Sequence, residues 1–345
     1  MNLKDFGGRL VYMVSLLGLG LLRISPRFMV TAYAHIGAFF LSRGRKFFRI
    51  SDANLRVVFP DWDAARRKKV IRKSALNFIL CLLEYIWASC SRKRLERSYL
   101  IDEEEKAKML ARVAAKERTI YVNPHMASWE GASATVARFH RDGAGIAVIV
   151  KAVKNPYMDK LFNTLVRGRV EGVHVIYSVG ALRGTIKAFN AGSCLGILID
   201  QNTKVREGGE FMDFFGLPAP SSLAPAVLAK YCLEKKMPSN ICYSMAVREE
   251  DGRIHFHTIP LSRPLEEYAS NHEIIQEILD ISTREIAKRP EQYLWGYPRF
   301  RNIPRDASPE LAAKFPSYAK PASESFYDAK VYHERHARKR AAEKS

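Results

Sequence analysis

Thr119-Ile-Tyr-Val-Asn-Pro-His125-Met-Ala-Ser-Trp129-Glu130 is the stretch on which the reading of this chain turns. A short β-branched and aromatic run ends at a turn, a histidine lies in the turn, and a glutamate follows five residues later. On one continuous helix, residues five apart diverge by about 140°, because each residue advances about 100°. His125 and Glu130 can face each other only where the chain changes direction, and Asn123-Pro124 predicts a turn here. A histidine held by a carboxylate at the carboxyl end of a strand is the layout of a general base. His125 and Glu130 are therefore the candidate catalytic residues.

Spacing alone is weak support. A histidine followed by an acidic residue at plus five should occur roughly once by chance in a chain of this composition. It recurs at His272 and Glu277, inside Asn271-His-Glu-Ile-Ile-Gln-Glu-Ile-Leu-Asp-Ile281. That segment reads as an uninterrupted amphipathic helix, whose two side chains diverge. Context favours His125.

Working outward, the pattern from Arg118 onward alternates short apolar runs with amphipathic stretches. Strands are predicted at 119–123, 145–150, 173–177, 195–199, 241–247 and 253–259, with a hairpin turn at Asp251-Gly252. Asn155-Pro156 predicts a helix start, and Ser178 a second, ending near Gly192. Near-continuous apolar strands separated by helices imply an α/β fold, its mainly parallel sheet covered by helices on both faces. The antiparallel hairpin is expected at an edge. Residues 51–115 read as helical, with Asp61 or Asp63 capping the run through Trp87.

The chain has 345 residues, enough for one large domain or two small ones. Its net charge of +19 suits a polyanionic partner: nucleic acid, anionic lipid headgroups or an acidic protein. The basic residues are spread along the chain and no nucleic-acid module is recognisable, so nucleic acid is not expected. Cys81, Cys90, Cys194, Cys232 and Cys242 form no CxxC pair and read as reduced thiols, not as a disulfide framework or metal site.

Leu10–Leu22 and Phe28–Ser42 are uncharged and bounded by arginines, with Arg43, Arg45, Lys46 and Arg49 following. Each run falls short of the ~20 residues that span a bilayer. The start, Met1-Asn-Leu-Lys-Asp5, lacks the features of a secretory signal. Residues 3–42 are read as helices lying in, or dipping into, an anionic membrane from its cytoplasmic side. Two buried helices of a soluble domain are the competing reading. The expected organisation is membrane-anchoring helices over 1–50, an α/β domain over 51–305, and a basic, loosely held tail over 306–345.

In an open α/β sheet the ligand crevice lies beyond the carboxyl ends of the strands. Asp200 follows one such end, in Gly196-Ile-Leu-Ile-Asp200-Gln201-Asn202, and is expected at the same rim as His125. A turn-forming aspartate is the plainer reading. Arg167 and Arg169 close the predicted helix from Asn155, where they meet its dipole or form an anion clamp.

At this point the series becomes recognisable. Asn54-Leu-Arg-Val-Val-Phe-Pro60, His125-Met-Ala-Ser-Trp-Glu130, Asn155-Pro-Tyr-Met-Asp159 leading to Arg169, Asp200-Gln201, Phe214-Phe-Gly-Leu-Pro-Ala219 and Pro290-Glu-Gln-Tyr-Leu-Trp295 ahead of Arg299 follow one another in order. Together they resemble the bacterial lipid A biosynthesis (late) acyltransferases of the lysophospholipid acyltransferase superfamily, over roughly residues 10–302. The resemblance implies a glycerolipid acyltransferase-like fold at the cytoplasmic face of the bacterial inner membrane. It implies transfer of a fatty acyl chain from acyl carrier protein or acyl-CoA to a lipid hydroxyl. His125 would then act as base, with Glu130 orienting it. Trp129 would lie near the developing oxyanion, and Arg169, Arg167, Asp200 and Arg299 would serve substrate binding. No cofactor or metal is implied. Two positions depart from the family pattern: Ala127 stands where glycine is usual, and Tyr297-Pro298-Arg299 where His-Arg-Arg is usual. The second change leaves a glycerophospholipid or aminolipid acceptor as an alternative. A thioesterase and a non-enzymatic peripheral membrane protein are further rivals. Against an α/β-hydrolase, no serine follows a G-x-S-x-G elbow.

Overall fold

The computed structural model describes residues 3–140 and 144–342, so Met1-Asn2 and Glu343-Lys344-Ser345 lie outside it. Helices α1 (Leu3–Ile24), α2 (Arg27–Arg43), α3 (Arg45–Val58), α4 (Ala64–Ala88) and α5 (Arg92–Ser98) come first. Strand β1 (Tyr99–Ile101), α6 (Glu103–Ala114), β2 (Arg118–Asn123), α7 (Trp129–Ala137) and β3 (Ile146–Val150) follow. Then come α8 (Pro156–Asp159), β4 (Val173–Tyr177), α9 (Ala181–Asn190), β5 (Cys194–Leu198) and the pair β6 (Gly209–Phe214) and β7 (Leu217–Ser222). The chain continues through α10 (Ala224–Glu234), β8 (Ser239–Arg248), β9 (Ile254–Pro260) and α11 (Asn271–Lys288). It closes with β10 (Asn302–Ile303), α12 (Pro309–Ala313), β11 (Lys320–Pro321), α13 (Glu324–Tyr327) and α14 (Ala329–Ala342).

Seven strands form the central sheet in the order β1-β9-β8-β2-β5-β3-β4, parallel throughout except for β8 against β9. All six predicted strands are present. The hairpin turns at Gly252 (φ +79°), but β1 covers β9, so it lies one strand inside the edge. Alternation along β2 places Ile120 and Val122 in one apolar core, which also holds Leu279 of α11 and Ala229 of α10, and Tyr121 in the other, which also holds Ala132 of α7. Helices therefore cover both faces. Each fully buried Leu or Ile contributes about 1.5–3 kcal/mol of transfer free energy. These two cores, more than the turns, hold β2 and β5 side by side.

Sequence signals at helix ends fared unevenly. Asp63 caps α4, its side chain accepting from the Arg66 amide at 2.6 Å. Asn155 caps α8 as expected, yet that helix breaks after one turn into a wide turn at Lys160–Thr164 and a tight one at Arg167–Arg169. Helix α9 begins three residues after Ser178, behind Gly180 in the left-handed region (φ +78°). The β6–β7 hairpin went unpredicted because Pro218 and Pro220 argue against a strand; as a two-stranded sheet of its own, this pair has an edge that tolerates them.

Packing continues past residue 306. Phe315 and Phe326 are buried, and β11 pairs with β10, because aromatic residues in this polar segment find apolar contacts on the β6–β7 side. The expectation of a loosely held tail is corrected for this part. At the other end, α1 holds its inner face to the body: Arg9 donates to the Tyr157 hydroxyl at 2.9 Å and Arg23 to the Leu165 carbonyl at 2.7 Å. Its outer face leaves Leu10, Met13, Val14, Leu17, Leu21 and Ile24 exposed. Gly7–Ile24 is the one segment among the described residues long and apolar enough to cross a membrane, with a mean hydropathy of 1.4.

Candidate active site

Strands β2 and β5 run parallel with Asn123 opposite Leu198. Two residues further along each chain, His125 and Asp200 emerge on one rim, so strand register alone brings them together. His125 Nδ1 lies 2.7 Å from Asp200 Oδ1, and Asp200 Oδ2 accepts the His125 backbone N–H at 3.1 Å. The carboxylate fixes both the orientation and the tautomer of the ring: Nδ1 carries the proton and Nε2 keeps its lone pair. The Gln201 side-chain amide donates to Nε2 at 3.2 Å. Burial acts to raise the Asp200 pKa, but the adjacent imidazole and the bonds it accepts outweigh burial and hold it below the ordinary carboxylate value. The imidazole keeps 15% exposure, so Nε2 is reachable from outside.

Glu130, expected to orient the ring, faces elsewhere. Trp129 opens α7 with its ring centroid 5.3 Å from that of His125, stacked on Phe78. Glu130 is one residue further, about 100° around the helix, and its carboxylate meets the Arg167 guanidinium. Arg167 Nε donates to Oε2 at 3.0 Å, with a second close bond from Nη2 to Oε1, while Nη1 reaches Asn163 Oδ1 at 2.6 Å. Asp200 occupies the position at Nδ1 that the sequence reading assigned to Glu130. The same pairing fills the fork of Arg167, expected as an anion clamp. Arg167→Met should cost about 3 kcal/mol, because it strands a mostly buried carboxylate; a denaturant titration reads this directly.

Arg169 is exposed and lines a cavity of about 190 Å³ with Arg92, Arg138, Cys90 and Glu171, toward the far end of α7 from His125. Arg299 is only 2% exposed. Its Nη1 donates to Asn202 Oδ1 (3.1 Å) and the Pro220 carbonyl (2.8 Å), and its Nη2 to Ser221 Oγ (2.5 Å). Arg299 was expected to touch substrate; its Nη1 and Nη2 are engaged inside the protein, on the Asp200 loop and on β7, while its buried Nε has no partner among the described residues.

The turn bearing His125 is fixed from behind. Leu294 N–H donates to the His125 carbonyl at 3.0 Å, Ala127 N–H to the Gln292 carbonyl at 2.8 Å, and Ser128 N–H to the Ala246 carbonyl at 3.0 Å. Asn77, on α4, donates to the carbonyls of Ala127 (3.2 Å) and Gln292 (3.0 Å). Ala127 itself sits in the left-handed region at φ +54°, where a Cβ costs on the order of 1 kcal/mol. Ala127→Gly should therefore raise stability by about 0.5–1 kcal/mol, visible as a higher Tm; a lower Tm would show that the Ala127 methyl contributes more by packing. Gln201 and Asn77 were given no role from sequence. Polar residues directly after an apolar strand, and a lone amide in Leu76-Asn77-Phe78-Ile79, were the signals present.

The comparisons with known proteins agree with one another. A family profile described as "Bacterial lipid A biosynthesis acyltransferase" matches residues 8–302. The chain is 22% identical over 303 residues to the "Lipid A biosynthesis palmitoleoyltransferase" of Escherichia coli (strain K12). It shows the same identity over the same length to the "Lipid A biosynthesis acyltransferase" of Shigella flexneri. Each match covers 85% of this chain and 92% of the relative.

Proposed function

This chain belongs to the bacterial lipid A biosynthesis acyltransferase family and is an acyltransferase, and we propose that it transfers a fatty acyl chain from an acyl thioester to a hydroxyl of a lipid A precursor, with His125 as general base. The observation that carries this reading is the bond from His125 Nδ1 to Asp200, which leaves a basic Nε2 on an accessible rim. An acceptor hydroxyl would displace the Gln201 amide from Nε2. Its oxygen attacks the thioester carbonyl as Nε2 takes its proton, forming the C–O bond and a tetrahedral oxyanion. Collapse breaks the C–S bond, and the departing thiolate recovers the proton from the imidazolium. Asp200 remains ionised and stabilises that imidazolium. The displaced Gln201 amide and the backbone amides near Trp129, at the start of α7, would donate to the oxyanion in this scheme. Glu130 enters this scheme through Arg167, fixing the start of α7. Trp129 packs one side of the imidazole.

The finer features follow from the same reading. The cavity at Arg169, with Arg92 and Arg138, suits a phosphate of acceptor or donor. The basic surface suits acyl carrier protein as donor, with acyl-CoA as the other candidate. The exposed apolar side chains of α1, together with Phe28, Ile36, Phe39 and Phe40 of α2, suit insertion into the cytoplasmic face of the inner membrane, in a glycerolipid acyltransferase-like arrangement. A glycerophospholipid or aminolipid acceptor is the second reading, favoured by Tyr297-Pro298, which leaves this stretch less cationic than is usual in the family.

Lipid mass spectrometry of cells with and without the protein tests the assignment. Lipid A lacking one acyl chain in the deletion strain supports it, and unchanged lipid A with an altered phospholipid profile favours the second reading. The anchor is tested separately by Leu17→Glu with Leu21→Glu, which should move the protein from the membrane pellet to the supernatant. Each change removes about 1.5–3 kcal/mol of apolar insertion. Unchanged pelleting would refute the anchor.

A further inference from the structure

The family match stops at residue 302, yet the chain after it reaches back to the loop that carries Asp200 and Gln201. Two routes connect them. On the first, the Tyr318 hydroxyl makes a close bond to Asn54 Oδ1 and accepts the Phe300 N–H at 3.4 Å. Asn54 Nδ2 in turn donates to the carbonyls of Trp295 (2.7 Å) and Tyr297 (2.9 Å). The Tyr297 hydroxyl then accepts the Asn202 backbone N–H at 3.0 Å, one residue from the amide that meets His125 Nε2. Arg299, from the same 295–300 segment, holds the other side of Asn202 through its side-chain oxygen. On the second route, Arg206, at the far end of the loop, donates to the Ser325 carbonyl and lies over the Tyr332 ring at 3.8 Å.

We propose that residues 303–332 are a clamp on the Asp200–Arg206 loop, with Tyr318 and Arg206 as positioning residues that set Asp200 and Gln201 against His125. The segment touches neither the imidazole nor its two partners directly. Its effect passes through Asn54, Tyr297 and Asn202, which fix the loop's backbone. A polar loop anchored at both ends keeps Asp200 Oδ1 on Nδ1 while Gln201 leaves Nε2 for the acceptor. Without the anchors, the same loop would sample positions in which the carboxylate and the ring separate. Misplacement by about 1 Å costs up to 10²-fold in rate when geometry carries the chemistry.

This inference rests on the acyl-transfer reading for its kinetic consequence but not for its structural one, and the test separates the two. Full-length Tyr318→Phe removes one hydroxyl and keeps the ring. Arg206→Met removes the second anchor at similar length. Lys330→Ala, an exposed change outside both routes, is the control. Each variant is assayed for acyl transfer to a lipid A precursor, and hydrogen exchange is followed in peptides spanning residues 199–207. In the two anchor variants, kcat should fall roughly tenfold with KM for the acceptor unchanged, and exchange of 199–207 should accelerate. Wild-type kcat in both folded anchor variants, or unchanged exchange of that segment, overturns the clamp. A wild-type protein that transfers no acyl group refutes the proposed function instead. The exchange data alone then decide the clamp, faster exchange supporting it and unchanged exchange overturning it.

Discussion

His125→Ala should lower acyl transfer by about 10²–10⁴-fold with little change in KM for the acceptor. A lipid hydroxyl is a poor nucleophile at neutral pH, and no other side chain that the structure places at this rim offers a neutral nitrogen lone pair. The substitution also strips Asp200 of its main partner inside the protein, which should cost about 1–3 kcal/mol of stability. His125→Gln separates the two effects, since its amide can donate to Asp200 while lacking a base. If both variants lose transfer to a similar degree and His125→Gln keeps a near wild-type Tm, the loss belongs to proton transfer.

The second large effect concerns which carboxylate serves the ring. Asp200→Asn should lower kcat by about 10²–10⁴-fold, because an amide at Nδ1 favours the tautomer that leaves Nε2 protonated. Glu130→Gln should do much less, and should act through its bond to Arg167. The reverse order would mean that Glu130 moves onto the ring during turnover. The Asp200 pKa is held below its unfolded value of 3.8, so its contribution to stability is present above that pH. It is lost as pH falls through the lower folded value. Asp200 is thus ionised at neutral pH, as a group that holds Nδ1 and stabilises an imidazolium must be. Asp200→Asn should remove this residue's share of the stability loss at low pH as well as the activity.

The core of the fold was legible because apolar strands and helical spacing are local properties. The six predicted strands are all present, and Asp63 caps α4 as its side chain suggests. The rim shared by His125 and Asp200 was legible too, since adjacent parallel strands carry their following residues to one edge. What the sequence did not reveal is rotation within a turn. Glu130 lies five residues from His125 and Asp200 seventy-five, yet a single helical step past Trp129 sends Glu130 toward Arg167. Arg299 shows the same limit: the family resemblance suggested a cation for substrate, whereas its Nη1 and Nη2 bind Asn202, Pro220 and Ser221 inside the protein. The β6–β7 hairpin and the packed segment after residue 306 escaped because prolines and polar residues hid aromatic anchors such as Phe211 and Phe326.

The most direct test of the central claim is a reconstituted reaction in which purified protein meets an acyl-carrier-protein thioester and a lipid A precursor in detergent, with the products read by mass spectrometry. Wild-type protein should yield the precursor with one added ester-linked acyl chain, and His125→Gln should yield almost none. Free fatty acid as the main wild-type product, or ester formation by the His125→Gln protein at a near wild-type rate, would contradict the assignment of His125 as the base for a lipid hydroxyl.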